Sequence, residues 1–189
     1  MNLPTTASQT AGPFLHIGLD WLVGDTLAGP GVSGERFVIE GRIVDADGNG
    51  VGDALIEIWQ ANAHGRYAHP EDRQAKLVEP EFRGFARVMT DESGRYRLKT
   101  IKPGRVPGPE STLQAPHLNV TLMARGLLKQ LITRMYFPAN AANAEDAVLQ
   151  RVPPARRDTL IAQAAAGEAS ALTWNIVLQG QDETVFFAY

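Results

Sequence analysis

Apolar and polar positions alternate along this chain in short runs, and turn residues separate the runs. Phe37, Ile39, Gly41 and Ile43 alternate with Val38, Glu40, Arg42 and Val44, the period of two that predicts a strand. Asp45-Ala46-Asp47-Gly48-Asn49-Gly50 follows with strong turn chemistry, and residues 53–60 read as the next strand. Residues 85–89 and 96–100 are expected to form a hairpin around Asp91-Glu92-Ser93-Gly94. The clearest strand is 117–123. Leu118, Val120, Leu122 and Ala124 make an apolar face; His117, Asn119, Thr121 and Met123 share the other, because alternate strand positions point the same way. Residues 132–137, 172–179 and 184–187 complete the strands. Residues 102–109 hold Pro103, Pro107 and Pro109 and read as a rigid loop, since proline removes ladder donors. Residues 140–150 give a weak helical signal. Residues 153–164 give a better one, with proline tolerated in a first turn and alanine after it. About seven short strands, with turns roughly every ten residues, predict an all-β, two-sheet β-sandwich with a long N-terminal arm, long loops and one or two short helices.

The division expected is an arm at 1–35 and a sandwich domain at 36–189. The arm begins small and polar, passes Gly12-Pro13 and carries a second turn-rich stretch at 27–34. Between these stretches stand Phe14, Leu15, Ile17, Leu19, Trp21 and Leu22, too apolar to face water, so the arm is expected to be packed.

Composition narrows the classes. The 189 residues suit one domain, and a net charge of -3 with no basic run argues against nucleic acid. No cysteine is present, which excludes disulfides, thiolate metal sites and a Cys nucleophile. No signal-like segment or run of about 18 apolar residues occurs, and the expected location is cytoplasmic, with no membrane contact. The glycine-rich stretches match neither phosphate-binding pattern. His16, His64 and His69 are expected in surface loops, and Trp59 in the core.

Specific motifs begin at Ile56-Glu57-Ile58-Trp59-Gln60-Ala61-Asn62-Ala63-His64-Gly65-Arg66-Tyr67. They continue at Thr90-Asp91-Glu92-Ser93-Gly94-Arg95-Tyr96, Thr100-Ile101-Lys102-Pro103-Gly104 and Pro116-His117. In order and spacing this resembles the intradiol ring-cleavage dioxygenases over roughly residues 35–138. Ser8-Gln9-Thr10-Ala11-Gly12-Pro13 and the tail 180–187 are similar to the smaller, α-type chain of two-chain members.

The resemblance implies a non-haem ferric site built from two tyrosinates and two histidines. Tyr67 stands at the first tyrosine's place and His117 at the first histidine's. Val106 replaces the second tyrosine and Asn119 the second histidine. Valine has no donor atom, and a neutral amide oxygen is a poor ligand for ferric iron. No metal is therefore expected here and no catalytic residue in this chain alone. Fe(III) is expected in a homologous β-type partner, with a carboxylated catechol and dioxygen bound at the interface. The resemblance further implies that the arm packs on that partner chain, and that Thr10, Ala11, Gly12, Pro13 and Arg134 help wall the partner's substrate cavity. Two alternatives stay open: a self-sufficient iron dioxygenase with altered ligands, and a non-enzymatic transthyretin-like binding module suggested by residues 41–56.

Overall fold

Helix α1, Pro13–Leu19, precedes strands β1 (Arg36–Val44), β2 (Leu55–Trp59), β3 (Phe85–Met89), β4 (Arg95–Ile101), β5 (Val106–Pro107) and β6 (Leu113–Gln114). Then come β7 (His117–Met123), β8 (Leu131–Tyr136), helix α2 (Ala147–Arg151), β9 (Gln163–Ala164), β10 (Ala171–Thr173) and β11 (Ile176–Val177). These elements belong to a computed structural model that describes residues 5–165, 167–168 and 170–188. The first four residues of the expected arm, Tyr189 of the expected sandwich domain and the side chain of His16 lie outside the described residues.

Two sheets form the sandwich. One runs β3-β2-β7-β8, all antiparallel. The other centres on β1, with β4 antiparallel on one edge and β10 and β11 parallel in succession on the other. β9 extends it beyond β10. Alternation decides what lies between the sheets: Ile39 and Ile43 from β1 and Leu98 from β4 meet Ile56, Ile58, Val88, Leu118, Val120 and Leu122. Each such side chain contributes about 1.5–3 kcal/mol on burial. Gly41 is needed where β10 closes on β1, because a Cβ there would stand 1.8 Å from the Trp174 carbonyl. Tyr96 Oη donates to that carbonyl at 2.6 Å.

Several expectations are corrected. β3 and β4 are no hairpin; they belong to opposite sheets. Thr90 stays bound to Ala54 through its amide (3.0 Å) and hydroxyl (2.9 Å), while Ile43 N donates to Gly94 O at 2.8 Å and draws β4 onto β1. The chain therefore arches between the sheets. The strand expected at 172–179 breaks in two, because the side-chain oxygen of Asn175 takes the Arg42 amide that a strand carbonyl would take. The helix expected over 153–164 is a 3-10 helix, Pro154–Leu160, stopped where Ala162 N donates to Tyr136 O. Residues 184–187 form no strand; Phe187 makes one bridge to Ile132.

The arm is more structured than its sequence suggests. α1 is followed by a 3-10 turn, Asp20–Leu22, and residues 24–32 return to the body, burying Leu27, Ala28 and Val32. The apolar stripe of α1 and the turn finds no cover among the described residues: Phe14 is 86% exposed, Ile17 68% and Trp21 79%. Among the described residues no helix is long and apolar enough to cross a membrane.

Candidate functional site

β7 turns His117 and Asn119 away from the sandwich core. Across the ladder Asn119 pairs with Trp59 of β2 on one side and Arg134 of β8 on the other. The long β2–β3 loop brings Tyr67 above this face. Buried Asn62 holds that loop: its Oδ1 accepts the amides of His64 and Arg66 at 3.0 Å, and its Nδ2 donates to Leu77 O at 2.9 Å. Gly65 takes φ 77°, where a Cβ would meet Arg105 O at 2.1 Å; the loop closes on the β4–β5 connection only because that position has no side chain. Asp72 Oδ2 accepts the Tyr67 amide at 2.8 Å.

A cavity of about 740 Å³ opens here, with Trp59, Tyr67, His69, Val106, Gln114 and Asn119 among its walls. Asn119 Nδ2 donates to Tyr67 Oη at 3.2 Å and to Trp59 O at 3.3 Å. Trp59 meets Tyr67 edge-on, ring centroids 5.7 Å apart, and lies 5.6 Å from the ring of His69. Burial raises the Tyr67 pKa, with Arg134 opposing, so the phenol stays protonated at neutral pH. His117 Nδ1 lies 2.7 Å from Ala115 O, which fixes the proton on that nitrogen. Burial, reinforced by Arg134, lowers the His117 pKa to about 4.

Three of the four ligand positions, Tyr67, Val106 and Asn119, line this cavity, while His117 is buried out of its wall; their donor set does not fit ferric iron. Val106 offers hydrocarbon. Asn119 turns its amide nitrogen, a donor and not a ligand, to Tyr67. The phenol is held neutral; the Arg134 cation lies nearby, and Glu71, Asp72 and Arg73 add charges of both signs to the cavity wall. Asn119 bonds Tyr67, and His117 Nδ1 bonds Ala115 O.

The expected cavity residues separate into two groups. Thr10 Oγ1 accepts from Gly126 N at 2.8 Å and donates to Ala124 O at 3.4 Å. This pins the arm at the far end of β7, where Ala11, Gly12 and Pro13 line a groove of about 300 Å³ with Asp53 and Arg125. Arg134 stands beside Asn119, six strand positions back, or about 20 Å. Its Nη1 donates to Gln114 Oε1 at 2.6 Å, and its Nε is buried without a partner. Among the described residues no carboxylate pairs with it.

Two residues escaped the sequence reading. Trp59 is no core residue; it is 42% exposed and walls the cavity. Its alternation with Glu57, against buried Ile56 and Ile58, was the available signal. Asp146, fully buried, anchors the residue that leads into β7 by accepting Ala115 N at 2.7 Å. Nothing local in the sequence marks that long-range bond.

Comparison with known proteins adds a family and two kinds of relative. The family described as Dioxygenase matches residues 26–180. The protocatechuate 3,4-dioxygenase alpha chain of Burkholderia cepacia is 42% identical over 199 residues, covering 98% of each chain. The beta chain of the same enzyme from that organism is 41% identical over 158 residues, 80% of this chain and 67% of that one. Among solved structures, an intradiol ring-cleavage dioxygenase from Tetranychus urticae superimposes with TM-score 0.64 at 17% identity, covering 82% of this chain and 86% of that one. That last likeness carries the fold alone.

Proposed function

This chain belongs to the intradiol ring-cleavage dioxygenases, and we propose that it serves as the non-catalytic, α-type subunit of a protocatechuate 3,4-dioxygenase. Its partner is a homologous β-type chain that holds Fe(III). The observation that carries this reading is the donor set. Val106 and Asn119 leave two of the four ligand positions without a usable donor, and Asn119 ties the remaining tyrosine into a hydrogen bond.

In the complex, both atoms of dioxygen add across the bond between the two hydroxyl-bearing carbons of protocatechuate, giving 3-carboxy-cis,cis-muconate. The partner's iron supplies activation of the catechol towards dioxygen. This chain supplies binding and shape. The Thr10–Pro13 loop, pinned by the Thr10 hydroxyl, is a rigid wall offered to the partner. Arg134, with no carboxylate of its own, is a fixed cation for the substrate's carboxylate. The two groups stand at opposite ends of β7. The bare stripe of Phe14, Ile17 and Trp21 gives the partner an apolar surface to cover.

Co-expression with the homologous β-type chain tests the reading. The joint complex is expected to hold iron and cleave protocatechuate, while this chain purified alone holds none. Near-stoichiometric iron in the lone chain, with a tyrosinate charge-transfer colour, would overturn it.

A further inference from the structure

The outer face of the β1–β4 ladder carries charges that the proposed pairing leaves unused. Ile39 and Ile43 point into the core, so Glu40 and Arg42 point away from it. Three rungs cross that face: Val38 opposite Lys99, Glu40 opposite Arg97, and Arg42 opposite Arg95. The first two are neutralised. Lys99 Nζ lies 3.1 Å from Asp25 Oδ2, and Arg97 Nε lies 2.9 Å from Glu40 Oε1. The third sets arginine against arginine, and among the described residues neither has a carboxylate within ion-pair distance. The Arg42 amide donates away from β4, to Asn175 Oδ1, so this rung lacks backbone hydrogen bonds and is the kind that holds side chains closest. Like charges placed so destabilise a ladder.

The groups left over around this rung are donors. A groove of about 590 Å³ has Arg42, Arg95, Thr173 and Asn175 among its walls. Arg42 Nε is taken by Ser93 O at 3.2 Å, which leaves its two terminal nitrogens. Among the described residues the Arg95 guanidinium, Asn175 Nδ2 and Thr173 Oγ1 have no partner. Two carboxylates also reach the groove, and both are engaged. Glu40 holds Arg97, while Asp91 Oδ1 accepts the amides of Ser93 and Arg95 at 2.9 Å and the Ser93 hydroxyl at 2.7 Å. With Arg97 counted, three cations face two anions, and the surplus sits on the Arg42–Arg95 rung.

We propose that the Arg42–Arg95 rung is a binding site for a compact tetrahedral oxyanion of the phosphate class. Such an ion lies between the two guanidiniums and removes their repulsion. Its oxygens point in enough directions to meet both forks together with the Asn175 amide and the Thr173 hydroxyl. A carboxylate is planar and suits a single fork. The site lies on the opposite sheet from the Tyr67 cavity and requires only this chain's residues, so it stands or falls separately from the pairing proposed above.

The full chain on its own is titrated with inorganic phosphate at neutral pH, with ionic strength held constant by sodium chloride, and followed by calorimetry and thermal unfolding. One saturable site per chain is expected, with Tm rising as phosphate rises. Acetate at the same ionic strength should bind severalfold more weakly. Arg95→Gln should weaken phosphate binding about tenfold or more, the scale of the charge-assisted hydrogen bonds lost with one guanidinium. Without phosphate the same variant should be at least as stable as the unsubstituted chain, because the repulsion is gone; an arginine with only a structural role would lower Tm when removed. Arg42→Gln should weaken binding likewise and decides the matter if Arg95→Gln does not fold. Lys129→Gln removes an exposed positive charge elsewhere and should leave binding unmoved. Absence of saturable phosphate binding, acetate binding as tightly, affinity unmoved by both arginine substitutions, or an equal loss in Lys129→Gln would each overturn the proposal.

Discussion

Replacing Asp146 with alanine should be the most damaging single change near the site, and its size follows from four bonds. Oδ2 accepts Ala115 N at 2.7 Å; Oδ1 accepts Tyr136 Oη at 3.1 Å and the amides of Val148 and Leu149 at 2.9 Å. The last two bonds cap α2, and losing such a cap costs about 1 kcal/mol. Ala115 and Tyr136 are fully buried, so their donors would be stranded, at about 1–3 kcal/mol each. The sum is about 3–7 kcal/mol, or a fall in Tm of about 6–28 °C for a chain of this size. Asp146→Asn keeps the Oδ1 bonds but sets an amide donor against Ala115 N–H, and should lose about half as much. Urea unfolding followed by circular dichroism, with unchanged m, measures both. A loss below about 1 kcal/mol for Asp146→Ala would refute the accounting.

The remaining predictions concern His117, Arg134 and the arm. Because burial lowers the His117 pKa to about 4, the native state stays neutral where the unfolded chain takes a proton. Stability should therefore fall as pH drops from about 6.5 to about 4, by roughly 3 kcal/mol; an imidazole titrating near 6.5 by NMR would contradict this. Arg134→Ala in the reconstituted complex should raise KM for the carboxylated catechol with iron content unchanged, and normal kinetics would remove Arg134 from the partner's cavity. Deleting residues 1–13 should impair assembly or turnover, since Thr10 no longer holds the arm at Gly126; an unaffected complex would show the arm to be dispensable. Phe14→Ser with Trp21→Ser should weaken pairing, read by analytical ultracentrifugation, and unchanged association would place the interface elsewhere.

Local pattern carried the strands and little of their partnership. β7 was legible to its ends, 117–123, because a period of two with a continuous apolar face has few other readings. The β3–β4 turn was misread for the same reason that β7 was read well. Both strands alternate, and alternation says which face is buried but not which sheet a strand joins. That choice was made by Thr90 on Ala54 and Gly94 on Ile43, contacts across 36 and 51 residues of chain. In the site, the identities of Tyr67, Val106, His117 and Asn119 were readable by position. That Asn119 turns to Tyr67 while His117 turns to Ala115, and that Arg134 sits across the ladder from Asn119, depends on register. Trp59 was misjudged because large aromatics are so often buried, although its neighbour Glu57 marked the open face.

The bare stripe on α1 sets a condition on how the chain is made. With Phe14, Ile17 and Trp21 in water, the proposed pairing means that a newly synthesised chain would carry an adhesive surface until a partner covered it. Under that pairing surplus copies would be drawn into aggregates or degraded while paired copies persisted, since binding partners stabilise by mass action. The amount of this subunit in a cell should therefore track the synthesis of the chain that covers that stripe, whatever the rate of its own.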